Sequence, residues 1–245
     1  MPLKDIFSLK RKKEDTPQKL GQRLLDEITN LHGGDFSSCL DLIAKGADVN
    51  MQETYGHTPL IIATKKKNSE AFVRTLIKHG ADIDAQNWEG LTALIFAVSK
   101  RRKEAANFLL EHGANPDIQK NNGWTALIYA AVAGADDIVT ALLEHGADPD
   151  IQNSHGQTAL MCAAKAGRNS TARTLMFYNA SLDIKDKNGM TAQDLAKSNW
   201  HYPLATRIEE EARQRVIRNF MNAADKGTPQ KRKIYRKANP LKKSF

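Results

Sequence analysis

Only two cysteines, Cys39 and Cys162, occur in the 245 residues, and no stretch is apolar for long enough to cross a bilayer. The two thiols fall in different sequence repeats on expected helices, so a disulfide framework is excluded and a reducing compartment is expected. Met1 to Lys13 is charged throughout and lacks the apolar core of a secretory leader. The motifs that carry chemistry are missing too: no phosphate-binding glycine loop, no His-Glu-x-x-His and no nucleophile elbow. No catalytic activity, metal or cofactor is therefore expected. Aromatic residues are sparse, at 7% of the chain, so each one outside the expected core needs a reason.

Two patterns imitate metal sites. Asp82-Ile83-Asp84 and Asp148-Pro149-Asp150 lack the spacing and closing glutamate of a calcium loop. His79, His112 and His145 recur at a fixed period, each just before a glycine, where a histidine suits the C-terminal end of a helix. The net charge of +8 is unevenly spread. Residues 226–245 hold eight Lys/Arg and no acid, and residues 1–20 hold six against three acids. The remaining body carries 22 basic and 25 acidic residues, so the basicity lies in the tails.

Against these absences stands one recurring phrase, Gly-x-Thr-(Pro/Ala)-Leu. It occurs at Gly56–Leu60, Gly90–Leu94, Gly123–Leu127 and Gly156–Leu160, with a worn copy at Gly189–Gln193. The glycines are spaced by 34, 33, 33 and 33 residues. A second phrase, Gly-Ala-Asp/Asn, runs in phase from Gly46, Gly80, Gly113 and Gly146, and ends as Asn179-Ala180-Ser181. A fixed period of this length predicts a solenoid of stacked units. The turn glycines suit a positive φ. Thr58, Thr92, Thr125 and Thr158 stand where a helix N-cap is wanted, and Pro59 suits a first helical position. Leu127, Ala130 and Ala131 form one apolar face of a first helix, and Ile138, Val139, Leu142 and Leu143 that of a second.

These phrases resemble the ankyrin repeat over about residues 34–198. The resemblance implies an all-α ankyrin-repeat solenoid, each unit a turn, two antiparallel helices and a protruding hairpin-like loop. The chain departs from the family pattern where a histidine usually follows Thr-Pro-Leu: Ile61, Ile95, Ile128, Met161 and Asp194 stand there, so apolar packing is expected instead. The glycine between helices is kept at Gly34, Gly134 and Gly167 but replaced in the Lys65-Lys66-Lys67-Asn68 and Lys100-Arg101-Arg102-Lys103 units, the first one residue longer. Helical caps are expected at both ends. Leu20, Leu24, Ile28 and Leu31 mark the first, partnered by Phe36, Cys39, Leu42 and Ile43. Leu204, Ile208, Ala212, Val216 and Phe220 mark a last amphipathic helix. The expected organisation is a basic flexible tail (1–16), the solenoid (17–225) and a basic disordered tail (226–245). Within the solenoid lie an N-terminal cap (17–50), repeats (51–198) and a C-terminal capping helix (199–225).

The resemblance further implies a non-catalytic scaffold or adaptor that grips a protein segment in a concave groove. Residues matching the family's groove positions are Tyr55, His57, Trp88, Glu89, Leu91, Trp124, Ser154, His155 and Gln157. Trp88 and Trp124 lie outside the repeat pattern, so each is either a binding anchor or packed on a neighbouring loop. Lys65, Lys66, Lys67, Lys100, Arg101, Arg102 and Lys103 are expected to form a basic ledge for an acidic peptide, phosphate or lipid headgroup, with Lys165 and Arg168 farther along. The tail segments Lys231–Lys237 and Leu9–Lys13 offer a second reading, a tether on nucleic acid or an anionic membrane with the repeats recruiting a client. A monomer in the cytoplasm is expected, with the nucleus, or a host cell after secretion, as the alternative location.

Overall fold

The computed structural model describes residues 16–31, 35–66 and 69–225, the last four of them by backbone alone. Among the described residues there are twelve helices and no strands. They run α1 (Pro17–Asn30), α2 (Ser37–Ala44), α3 (Pro59–Lys65), α4 (Glu70–Lys78), α5 (Ala93–Ser99), α6 (Lys103–Glu111), α7 (Ala126–Ala133), α8 (Asp136–Glu144), α9 (Ala159–Lys165), α10 (Asn169–Phe177), α11 (Ala192–Ser198) and α12 (Tyr202–Asp225). Odd and even helices pair, and the pairs stack: α1, α3, α5, α7, α9 and α11 follow one another in one layer, and α6, α8 and α10 in the other. The chain is thus an all-helical solenoid.

Local chemistry starts each first helix. The hydroxyls of Thr58, Thr92, Thr125 and Thr158 accept the backbone N–H groups of Ile61, Ile95, Ile128 and Met161 at 3.2–3.3 Å. The four N–H donors, Ile61, Ile95, Ile128 and Met161, are buried, so the apolar packing expected in place of a histidine network is present. In the fifth unit Asp194 instead closes a reciprocal capping box with Thr191. Small residues then let the layers close up: Ala63, Ala97, Ala130, Ala131, Ala163, Ala164 and Ala196 are fully buried. Gly56 shows why the turn glycine cannot carry a side chain. Its φ is +78°, and a Cβ would lie 2.6 Å from the Trp88 ring of the next loop.

Three ladders tie successive loops. Backbone bonds run from Trp88 N to Tyr55 O, Asn121 N to Glu89 O, Ser154 N to Asn122 O and Lys187 N to His155 O. Gln52, Gln86, Gln119 and Gln152 donate to carbonyls of Gln86, Gln119, Gln152 and Lys185. Asn50, Asp84, Asp117 and Asp150 accept the backbone N–H of Asp82, Asn115, Asp148 and Ser181. The paired acids that imitate a calcium loop are thereby occupied with the backbone.

The helix expected over 199–225 is α12, which pairs with α11 as the second helix of the fifth unit and runs for 24 residues. Its apolar stripe is buried only at the start, through Leu204, Ala205 and Ile208, while Val216 and Ile217 are exposed. Ala212 is the last apolar residue of the helix packed on the core, and three residues later Arg215 still bonds to the carbonyls of Met176 and Ala180. At the other end α1 and α2 form a first pair, with Phe36 stacked on Phe72 of α4 at 4.4 Å.

Burial pushes both thiols, Cys39 and Cys162, up to about 11. Against the ordinary value of 9.0 this lowers the thiolate fraction near neutral pH about 100-fold. Both cysteines should therefore resist alkylation at pH 8 until the chain is denatured; rapid native labelling counted by mass spectrometry would contradict their placement. The Asp ladder gives a second expectation. Burial raises the Asp117 carboxyl above its ordinary range, although it accepts a bond from Asp148. A raised acid is stabilising only while protonated, so its contribution is lost as pH rises. Asp117→Asn keeps the acceptor, as Asn50 does two positions of the ladder earlier. Its melting temperature should match or exceed wild type at pH 7, with the advantage shrinking in acid. Asp117→Ala should lose about 1 kcal/mol. An asparagine variant as unstable as the alanine one would refute this account.

Candidate functional site

The exposed side chains with chemistry to offer gather along the first helices and the loop tips of the first three stacked units. Four residues after each cap threonine come Ile62, Phe96, Tyr129 and Cys162, at equivalent positions of α3, α5, α7 and α9. Phe96 is half-buried, and two ammonium groups sit over its ring: Lys65 Nζ at 5.7 Å and Lys100 Nζ at 6.0 Å. Lys65 also lines a cavity of about 430 Å³ with Glu53, Tyr55, His57, Ile62, Lys66 and Thr29. The structure thus brings together Tyr55 and His57, expected in the groove, with Lys65, expected on a separate ledge.

Hydrogen bonds orient this corner. Glu53 Oε1 lies 2.5 Å from His57 Nδ1 and also accepts the backbone N–H of Tyr55 and His57. Burial raises the Glu53 carboxyl, but the His57 ring and these N–H groups outweigh it and hold it below the ordinary carboxylate range. With Nδ1 donating to the carboxylate, Nε2 is left to accept from Asn87 Nδ2 at 3.3 Å. Asn87 cannot be turned the other way, because its Oδ1 accepts the N–H groups of Glu89 and Leu91. Lys65 is pushed down by burial, opposed by the nearby charges of Glu53 and Glu89.

The loops of the next units carry the tryptophans. Trp88 is 68% exposed and lies with one edge against Gly56, so it both packs on the preceding loop and faces solvent. Trp124 is half-buried against Tyr129, at a centroid distance of 4.8 Å. Beside them Lys120 reaches Glu89 at 3.0 Å. That bond holds the Glu89 carboxyl down, and it raises Lys120 in spite of burial, together with the Tyr129 hydroxyl. Leu91, Trp124 and Gln157 occupy the position that His57 has in the first loop. His57 and Gln157 each bond onward, Gln157 to Asp186 at 3.4 Å. Trp124 offers no acceptor there, and Asn153 Nδ2 stays buried without a partner. Ser154 and His155 are exposed one loop farther along.

The basic ledge is corrected by the structure. Arg102 does not face outward: its guanidinium donates to the carbonyls of Thr64, Lys66 and Lys65 at 2.6–2.9 Å, capping α3. Lys66 caps α1 through Thr29 and Leu31 carbonyls, and Arg168 caps α7 through Val132. The physical reason is the row of orphan carbonyls at each helix C-terminus. Lys103 pairs with Asp137 at 2.7 Å. Lys100 and Arg101 are left exposed, and Lys67 lies outside the described residues. The histidines follow the same logic, since His112 and His145 place Nδ1 2.8 Å from the Phe108 and Ala141 carbonyls. The tail segments Leu9–Lys13 and Lys231–Lys237 also lie outside the described residues.

Phe96 and Tyr129 were not singled out by sequence reasoning. Their signal was available: counting four from each cap threonine gives aromatics in two consecutive units where others hold Ile62 and Cys162. The two tryptophans should separate by stability. Trp88→Ala should leave the melting temperature nearly unchanged, while Trp124→Ala should cost roughly 2 kcal/mol through lost packing on Tyr129. Equal losses from both, measured by thermal denaturation, would remove the distinction.

A family model described as "Ankyrin repeats (3 copies)" matches residues 30–120 and 112–188. No curated protein matches the chain significantly. The matched span exceeds half of the sequence and coincides with the stacked pairs and tied loops described above. The chain belongs to the ankyrin-repeat family.

Proposed function

We propose that this protein is a non-catalytic adaptor, acting as a monomer in the cytoplasm, that binds an extended protein segment bearing acidic side chains. Ankyrin repeats are in general protein–protein interaction modules. The observation that carries the finer reading is the cation–aromatic corner of the first two units. Lys65 and Lys100 flank Phe96, and among the described residues neither has a carboxylate at ion-pair distance. The neighbouring acids are already engaged, Glu53 by His57 and Glu89 by Lys120. An incoming carboxylate would meet two ammonium groups while apolar parts of the segment lie on Phe96, Tyr55 and the exposed face of Trp88. The buried free thiols Cys39 and Cys162 support a reducing location.

Panning a random peptide library on the full chain tests this. Enriched peptides should be acidic with an apolar residue nearby. Lys65→Glu with Lys100→Glu should weaken them about tenfold or more, and added salt should act in the same direction. Enrichment of peptides without acidic residues, or undiminished binding to the double variant with its melting temperature intact, would overturn the proposal.

A further inference from the structure

In the distal half of α12 two aliphatic side chains, Val216 and Ile217, stay exposed among the described residues. Leu204, Ala205, Ile208 and Ala212 turn toward the solenoid. At about 100° per residue, Val216, Ile217, Phe220 and Met221 share a second face, rotated from the first by roughly a third of a turn. Val216 is 69% exposed and Ile217 43%, and Phe220 is also exposed. The two faces meet at a groove of about 480 Å³ lined by Gln193, Glu209, Ala212, Arg213, Val216 and Ile217.

The rotation of the helix is held from the opposite side. Arg215 donates to the carbonyls of Ala180 and Met176 at 2.8 and 2.7 Å, and to Glu211 at 3.0 Å. This clamp on the end of α10 prevents α12 from rolling its second apolar face inward. Arg213 and Arg218 flank that face with their heads largely in solvent, although each approaches a glutamate of the preceding turns. Charge along the chain is sharply divided here. After Glu211, residues 212–245 contain eleven Lys/Arg and a single acid, Asp225.

We propose that the distal half of α12 lies in the interface of an anionic lipid bilayer, with Val216 and Ile217 inserted below the headgroups and the arginines among them. Exposed aliphatic residues beside fixed cations suit an interfacial amphipathic helix. No helix among the described residues is long and apolar enough to cross a membrane, so the helix lies along the surface. A second copy of the chain fits worse, because it would bring the same excess of positive charge to the contact. Nucleic acid would engage the arginines but leave Val216 and Ile217 in water.

The inference is independent of the peptide site, and sedimentation of the full chain with vesicles tests it. Binding is expected to vesicles of phosphatidylcholine mixed with phosphatidylserine, and to be much weaker to phosphatidylcholine alone. Val216→Thr with Ile217→Thr keeps β-branching and charge. It should weaken binding about tenfold or more, with circular dichroism and melting temperature unchanged because both side chains are exposed. Equal binding to both vesicle types, absence of binding, or full binding by the double variant would each overturn the proposal. So would a wild-type dimer that the double substitution dissociates in sedimentation velocity, or capture of a DNA duplex weakened by it to the same degree.

Discussion

Everything in this molecule depends on one kind of bond, the acceptance of a loop N–H group by the unit before it. A single helix pair has too little apolar surface to be stable alone, so stacking is obligatory. Stacking of helices sets only the spacing between units; the loop bonds set their register. The side chains of Asn50, Asp84, Asp117 and Asp150 do this one unit after another. The series stops at Ser181, which still donates to Asp150; among the described residues no later loop donates the next link. There Arg215 takes over and ties the last carbonyls of α10 to α12.

Basic side chains divide into those used by this construction and those left over. The last carbonyls of a helix lack partners within it, and a later element supplies a cation to those of α1, α3, α7 and α10. Lys66, Arg102, Arg168 and Arg215 are all consumed in this way. The remaining cations sit where carbonyls are not waiting: Lys65 and Lys100 on an aromatic ring, and Arg213 and Arg218, paired with Glu209 and Glu211, beside an apolar helix face. The two candidate surfaces are therefore residues of charge after the fold has taken its share, at opposite ends of the stack.

Much of the scaffold could be read directly from the residues. The period of the turn glycines gives the number of units, and the threonine caps give the helix starts, because both are local backbone requirements. Gln52, Gln86, Gln119 and Gln152 kept the same period in plain view, yet their purpose is invisible until the next loop stands beside them. The same applies to Arg102. In the chain it is one of four consecutive basic residues, and nothing local distinguishes it from Arg101. Its neighbour stays outside because Arg101 adopts a φ of +55° at the turn, while Arg102 falls back across α3.

What the chain determined alone is thus periodic and local: the family, the helical units, their caps and the turns with positive φ. Tertiary structure decided which charges are spent, that Trp124 packs on Tyr129 while Trp88 keeps a face in solvent, and that the apolar stripe of α12 outruns the body. The reason is that local rules act within one turn of helix or one loop. Exposure and pairing are settled by contacts made about one repeat away.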